Sequence, residues 1–261
     1  MFLGVDIGNT HTVIGLFRGG KLADSWRIQT RAGTTGDELA SMLHSLLLYH
    51  RLGLEDMKTV IISSVVPPAT EAWSDMTERY HRLTFIDAHE IAVELVEIRY
   101  PRAHEVGTDR LLNSLAAFRQ YQGACIVVDY GTATTFDCIS SRGEYMGGVI
   151  APGIMLAAKS LFTGTSKLPM VKFPRKGLSP LGKSTEEAIQ AGLLYGFAGL
   201  TDNIISNLSS TFAHDEKPFV ISTGGLASVL FDYCSRINRL DPELTMKGLL
   251  YCYNHFTKAK S

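Results

Sequence analysis

Long apolar runs, an excess of one charge sign and clustered cysteines are all missing from this 261-residue chain. No uninterrupted apolar stretch approaches the roughly 20 residues that span a bilayer, so no membrane helix is expected. The amino terminus has no basic region and its apolar start is broken at once by Asp6, so no secretory signal is expected either. With 25 Lys+Arg against 26 Asp+Glu the net charge is -1, and basic residues form no run longer than two. That removes the electrostatic footprint of a nucleic-acid binder. The four cysteines, Cys125, Cys138, Cys234 and Cys252, include no C-x-x-C and have no neighbouring His at metal-ligand spacing. They read as small hydrophobes of a reducing compartment, and a cytoplasmic location is expected. What is present is ordinary globular composition, 45% hydrophobic and 20% charged, with length enough for two domains.

The most informative stretch is Val5-Asp6-Ile7-Gly8-Asn9-Thr10, with apolar Phe2-Leu3 before it and Val13-Ile14-Gly15-Leu16-Phe17 after it. It reads as strand, tight turn, strand, with a carboxylate where the first strand ends. Gly8, lacking a Cβ, lets the amides of Gly8, Asn9 and Thr10 approach an anion. Taken alone, the same residues also describe a hairpin whose Asp and Asn cap the turn. An echo decides between these readings. In Val127-Val128-Asp129-Tyr130-Gly131-Thr132-Ala133-Thr134-Thr135-Phe136, Asp129, Gly131 and Thr135 stand 123 residues after Asp6, Gly8 and Thr12. A repeat near half the chain length predicts two related domains, 1-115 and 116-261. Two such hairpins facing each other would hold a polyphosphate and its metal in a cleft between the domains.

Between the hairpins the patterns predict a third strand over 21–28, an amphipathic helix opened by Thr34-Thr35-Gly36-Asp37-Glu38 and running to about His50, a buried strand over 59–66 stopped by Pro67-Pro68, a helix over 69–80 and a strand over 83–87. A loop ending in Gly107-Thr108-Asp109-Arg110 leads into a helix over 111–121, which places Thr108 or Asp109 near a first turn that favours anions. Asp109 alone is equally an N-cap acid. Downstream, 143–150 reads as a strand, 151–153 as a turn and Ile154 as a helix start. Gly177 to Ser184 spell G-x-x-x-x-G-K-S, the written form of a phosphate-cradling loop, but the segment before it is short and proline-broken. A helix start with Ser184 and Glu187 as capping box is the plainer reading. A strand over 218–222 delivers Thr223-Gly224-Gly225, and a closing helix follows, anchored by Leu240 and Leu244, whose apolar face suits a subunit contact.

The two hairpins resemble the phosphate loops of the acetate kinase, sugar kinase, actin and seventy-kilodalton chaperone superfamily. That resemblance implies an α/β fold of two ribonuclease-H-like (actin-like ATPase) domains, each a mixed sheet flanked by helices, with the nucleotide cleft between them. The ordered set Asp6-x-Gly8-Asn9-Thr10, Gly107-Thr108-Asp109-Arg110, Asp129-Tyr130-Gly131-Thr132-Ala133-Thr134-Thr135, Gly147-Gly148-x-Ile150-x-Pro152-Gly153, Gly182-Lys183-x-Thr185 and Thr223-Gly224-Gly225 more narrowly resembles the type III pantothenate kinases over essentially the whole chain. The family likeness implies ATP-dependent phosphorylation of pantothenate, the first committed step toward coenzyme A. It implies ATP contacts from Asp6, Ile7, Gly8, Asn9, Thr10, His11, Thr12, Val13 and Thr132, with Mg²⁺ at Asp6. It also implies a monovalent cation, K⁺ or NH₄⁺, at Asp129. Pantothenate would be held by Tyr100, Gly107, Thr108, Asp109, Arg110 and Thr185, with Asp109 as general base, in a homodimer. His11 departs from the neutral polar residue common in the family's first loop. Asp109 is also the acid not required by phosphates or cations, and an alcohol nucleophile needs one. Arg110 suits either the pantothenate carboxylate or the moving phosphoryl. Two rival readings stand beside this one: a non-enzymatic transcriptional accessory factor of the same family, expected to lose the loop acids, and an ATP-hydrolysing chaperone or exopolyphosphatase.

Overall fold

A computed structural model describes residues 1–80, 83–173, 177–214 and 216–259. The chain forms two compact units, Met1–Glu97 with Arg102–Ala116 and Thr245–Ser261, and Ile98–Pro101 with Ala117–Leu244.

In the first unit the expected order holds. Strands β1 (Phe2–Ile7), β2 (His11–Arg18) and β3 (Lys21–Gln29) are followed by helix α1 (Gly36–Leu48), β4 (Thr59–Ser64), α2 (Pro67–Arg79) and β5 (Thr84–Asp87). The sheet order is β3-β2-β1-β4-β5, antiparallel among the first three strands and parallel from β1 through β4 to β5. β1 and β4 are central and almost wholly buried, which is why both are continuous apolar runs. α1 starts within the stretch expected to open it, where Thr35 and Glu38 form a capping box. Pro67 and Pro68 are the first residues of α2 and not only a strand stop, since a missing N–H costs nothing in a helix's first turn. Helix α3 (Ala88–Leu95), capped by Asp87, was not expected.

The last helix, α8 (Leu244–Ala259), also belongs to the first unit, so the division differs from a single boundary at 115/116. The reason is packing: Leu244, Leu249 and Cys252 are fully buried, and the Phe2 ring stacks on Tyr253 at 3.7 Å between centroids. The apolar face read as a subunit contact is therefore used within the chain, and Leu240 lies in a strand rather than at the helix.

The second unit repeats the plan. Strands β6 (Cys125–Tyr130), β7 (Ala133–Ile139), β8 (Tyr145–Pro152), β9 (Phe219–Thr223) and β10 (Arg239–Leu240) take the order β10-β9-β6-β7-β8. Helices α4 (Thr108–Tyr121), α5 (Ile154–Thr163), α6 (Thr185–Ser209) and α7 (Ala227–Leu230) complete the chain. The unit's core gathers Val128, Tyr130, Phe136, Leu194 and Leu230. Burial pushes the Cys125 and Cys252 thiols up to about 12 and Cys234 up to about 11, so these cysteines are inert packing groups. Among the described residues no helix is long and apolar enough to cross a membrane.

Strand register corrects one detail of the repeat. Asp6 pairs with Val13 and Ile7 with Thr12, whereas Asp129 pairs with Thr135 and Tyr130 with Thr134. The second turn is one residue shorter, so the counterpart of Thr12 is Thr134 and not Thr135. The Thr12 hydroxyl meets Thr30 Oγ1 at 2.9 Å. At the register position of Thr30 the second unit has Gly153, and the Thr134 hydroxyl, fully buried, has no hydrogen-bond partner among the described residues. An orphaned buried hydroxyl costs about 1–3 kcal/mol. Thr134→Val is therefore expected to raise the melting temperature by a few degrees, measured by thermal or urea denaturation. Thr12→Val, which orphans Thr30, is expected to lower it.

Candidate active site

The first loop closes as Gly8 N donates to His11 O at 3.0 Å, leaving Asn9, Thr10 and His11 exposed at the sheet's edge. Ile7 and Thr12 are buried, at 1% and 3% exposure, so any ligand contact from them comes through backbone. Asp6 Oδ1 accepts from Ser63 Oγ at 3.0 Å across the β1–β4 pair. Ser63 was not anticipated; its only signal is a polar pair, Ser63-Ser64, ending an otherwise apolar strand.

The Gly107-Thr108-Asp109-Arg110 segment lies in the same unit. α4 begins at Thr108 rather than Leu111, which puts Asp109 in its first turn. Val65 links this segment to the first loop: its amide donates to Ile7 O at 3.1 Å, and a methyl built on Gly107 would stand 3.9 Å from Val65 Cγ1. Thr108 is 5% exposed, its hydroxyl hydrogen-bonded to His89 Nδ1 at 3.1 Å. His89 is on α3, the helix that sequence reading missed. A cavity of about 270 Å³ opens here, lined by Ser64, Val65, Thr70, His89, Gly107 and Thr108 among others.

Burial pushes the Asp109 carboxyl above the ordinary carboxylate range, with the amides of Arg110 and Asp109 and the Arg110 guanidinium pulling the other way. The first turn of a helix would by itself stabilise the charged form. Desolvation outweighs these, so the charged form is disfavoured despite the helix start. The carboxylate also rests against Gly107, where an added methyl would come within 2.5 Å of Asp109 Oδ1. The clashing atom is the end of a side chain, so Gly107→Ala is cheap for the fold but displaces the carboxylate. It is expected to lower kcat by about 10- to 100-fold with little change in melting temperature, as steady-state kinetics beside a thermal melt would show.

In the second unit the loop is closed by Gly131 N donating to Ala133 O at 3.0 Å, with Thr132 exposed at its tip. Gly153 packs directly on this turn: a methyl there would collide with Thr132 O and come within 2.9 Å of Gly131 O. Asp129, partly exposed, lies at the end of β6 beside Gly224, whose φ of +93° and closeness to Asp129 Oδ1 and Tyr130 N admit no side chain. Gly224 is thus demanded by the packing of β6. Tyr100 covers Gly147 in this unit, and Thr185 is exposed as the first residue of α6.

Among the described residues the segment spelled like a phosphate-cradling loop has no strand directly before it, and a Cβ on Gly182 would strike the backbone of Glu187 and Ala188. Ser184 caps α6 by accepting from Glu187 N at 3.2 Å. The reciprocal bond differs from a capping box, because the Glu187 carboxylate takes the amide of Lys183 at 2.7 Å.

The donor set fits hard cations. Asp6 offers a carboxylate oxygen at the end of β1, beside the first turn, a hard ligand of the kind Mg²⁺ takes when one or two carboxylates hold it together with substrate phosphates.

Comparisons with known proteins follow the same line. A family model for type III pantothenate kinase matches residues 2–207. A type III pantothenate kinase of Syntrophotalea carbinolica is 42% identical over 254 residues, covering 97% of this chain and 98% of the relative. One from Syntrophobacter fumaroxidans is 44% identical over 249 residues, covering 95% and 96%. Among solved structures, a Campylobacter jejuni protein described as a conserved Baf family transcriptional activator superposes with a TM-score of 0.61 at 18% identity, covering 98% of this chain and 100% of that one, which shows the fold alone. With its two five-stranded sheets, its paired turns and relatives alike over almost their full length, the chain belongs to the type III pantothenate kinase family.

Proposed function

We infer that this chain transfers the γ-phosphoryl group of ATP to the primary hydroxyl of pantothenate, the first step of coenzyme A biosynthesis. The observation that carries the site reading is the placement of Asp109, desolvated and backed by Gly107, in the same unit as the first phosphate loop and joined to it through Val65. Phosphoryl transfer asks a protein mainly to position two oxygens and to neutralise charge. The amides of Gly8, Asn9 and Thr10, with flanking backbone from Asp6 to Val13, take the phosphates, and Thr132 contacts the nucleotide. Asp6 holds Mg²⁺, which when bound neutralises charge building on the phosphate oxygens. Asp129 takes a monovalent cation. Gly107, Thr108 and Arg110 hold the acceptor beside the cavity at Ser64 and His89, Tyr100 and Thr185 add contacts, and Asp109 removes the hydroxyl proton as the new bond forms.

A homodimer completes the reading. Its support is the exposed apolar surface of α5, where Leu156 is 49% and Phe162 44% exposed, with Ile150 of β8 at 65%. The accessory-factor reading loses ground because Asp6, Asp109 and Asp129 are all retained.

A coupled ADP assay with purified protein, ATP and Mg²⁺ tests the function. ADP release is expected only when pantothenate is added, and to fall when K⁺ and NH₄⁺ are replaced by Na⁺. Equal ADP release without pantothenate would reject the assignment. An unchanged rate in Na⁺ would reject a requirement for K⁺ or NH₄⁺ at Asp129.

A further inference from the structure

Two buried carboxylates in the second unit, Glu144 at 6% and Asp137 at 0% exposure, have no part in the chemistry above. Buried charge is costly unless paired, so their partners show what they are for. Glu144 Oε2 accepts from Ser140 Oγ at 2.7 Å, and Glu144 Oε1 forms an ion pair with the Arg99 guanidinium. The Arg99 amide donates to Tyr145 O at 2.9 Å, and Ile98 bridges to Tyr145. Tyr145, itself buried, is held by its hydroxyl donating to Asp137 Oδ1 at 2.9 Å. Residue 99 is therefore pinned through both backbone and side chain, which fixes where residue 100 emerges. The Tyr100 ring then lies over Gly147, with Cδ2 3.5 Å from where a Cβ would stand. Gly147 has φ +121° and sits opposite a register shift between Cys138 and Ile139, a backbone shape closed to other residues. Tyr100 remains 39% exposed, enough to meet a ligand.

We propose that Glu144 is a positioning residue for pantothenate binding: through Arg99 it holds Tyr100 against Gly147 in the orientation that meets the acceptor. The proposal rests on the reading of Tyr100 as an acceptor contact. Losing the ion pair leaves every nucleotide contact intact and loosens one side of the acceptor site, so it acts on pantothenate affinity and not on the chemical step.

The test is steady-state kinetics with each substrate varied, on Tyr100→Ala, Glu144→Gln, Arg99→Met, Arg99→Lys and the double variant Glu144→Gln/Tyr100→Ala. Glu144→Gln and Arg99→Met are each expected to raise the pantothenate KM by about 3- to 10-fold, with kcat and the ATP KM within about twofold of the starting protein. Arg99→Lys, which keeps the charge, is expected to restore most of the affinity. The double variant is expected to be no weaker than Tyr100→Ala alone, because the two changes remove one interaction. If Tyr100→Ala raises the pantothenate KM while Glu144→Gln and Arg99→Met do not, the positioning role is overturned and the Tyr100 reading survives. If Tyr100→Ala itself has no effect, that reading falls and the proposal with it. A loss of kcat with both KM values moving together marks a merely structural role and also overturns it. Arg99 is more than half exposed, so Arg99→Met carries the test should Glu144→Gln fail to fold.

Discussion

Asp109→Asn is expected to lower pantothenate-dependent turnover by about 10²- to 10⁴-fold, the usual contribution of a positioned general base, while the protein becomes no less stable at neutral pH. The second half of this expectation follows from the sign of the pKa displacement. Burial holds the folded-state pKa of Asp109 above its unfolded value, so in the window between them the folded chain binds more protons than the unfolded one. Stability contributed by this group is fully present below the unfolded pKa and is lost as pH rises through the folded pKa. Asparagine keeps the shape and an acceptor for the two amides but is never charged, so it escapes that penalty. Turnover in the parent protein is expected to fall on the acid side with an apparent pKa above the ordinary carboxylate range, and the residual turnover of the variant is expected to lack that limb. Rate against pH, with chemical denaturation at pH 7, checks both halves. A marked loss of stability in the variant would mean that Asp109 caps α4 and does no more.

Gly153→Ala is the second large effect, and it differs in kind from Gly107→Ala. At Gly107 the added methyl meets the end of a side chain; at Gly153 it meets main chain on the second phosphate loop, Thr132 O and C and Gly131 O. Backbone tied between two paired strands cannot rotate away, so the turn itself must shift. Such overpacking costs roughly 1–3 kcal/mol of stability. If this turn contacts the nucleotide as proposed, moving it by about 1 Å is expected to cost on the order of 100-fold in kcat/KM for ATP. The effect is expected on ATP and not on pantothenate affinity, which nucleotide binding by calorimetry distinguishes directly. Unchanged ATP affinity would remove the second loop from the nucleotide site.

Much of this was legible in the sequence because the central strands are almost wholly buried and so appear as largely apolar runs. Asp6 and Asp129 stand near the ends of β1 and β6, and the polar stretch Thr34-Thr35-Gly36-Asp37-Glu38 marks where α1 begins. Other features were hidden for definite reasons. α3 is short and its apolar spacing resembles a continuation of β5, so His89 and its bond to Thr108 went unseen. The turn after Asp129 is one residue shorter than its counterpart, a change that strand register shows and letter-by-letter superposition of Thr12 on Thr135 conceals. The return of α8 to the first unit depends on contacts more than 200 residues apart in sequence, such as Phe2 with Tyr253, and no local pattern encodes it. The ion pair between Arg99 and Glu144 is likewise non-local, joining a segment without regular structure to a hairpin.

The central claim, that this chain moves phosphoryl from ATP to pantothenate with Asp109 taking the proton, is tested most directly by quantifying products. ADP and phosphopantothenate are measured together by mass spectrometry after incubation with ATP, Mg²⁺, K⁺ and pantothenate, for the parent protein and for Asp109→Asn. The account expects the two products in equal amounts from the parent and almost none of either from the variant. ADP formed without phosphopantothenate, or equal yields from both proteins, would contradict it.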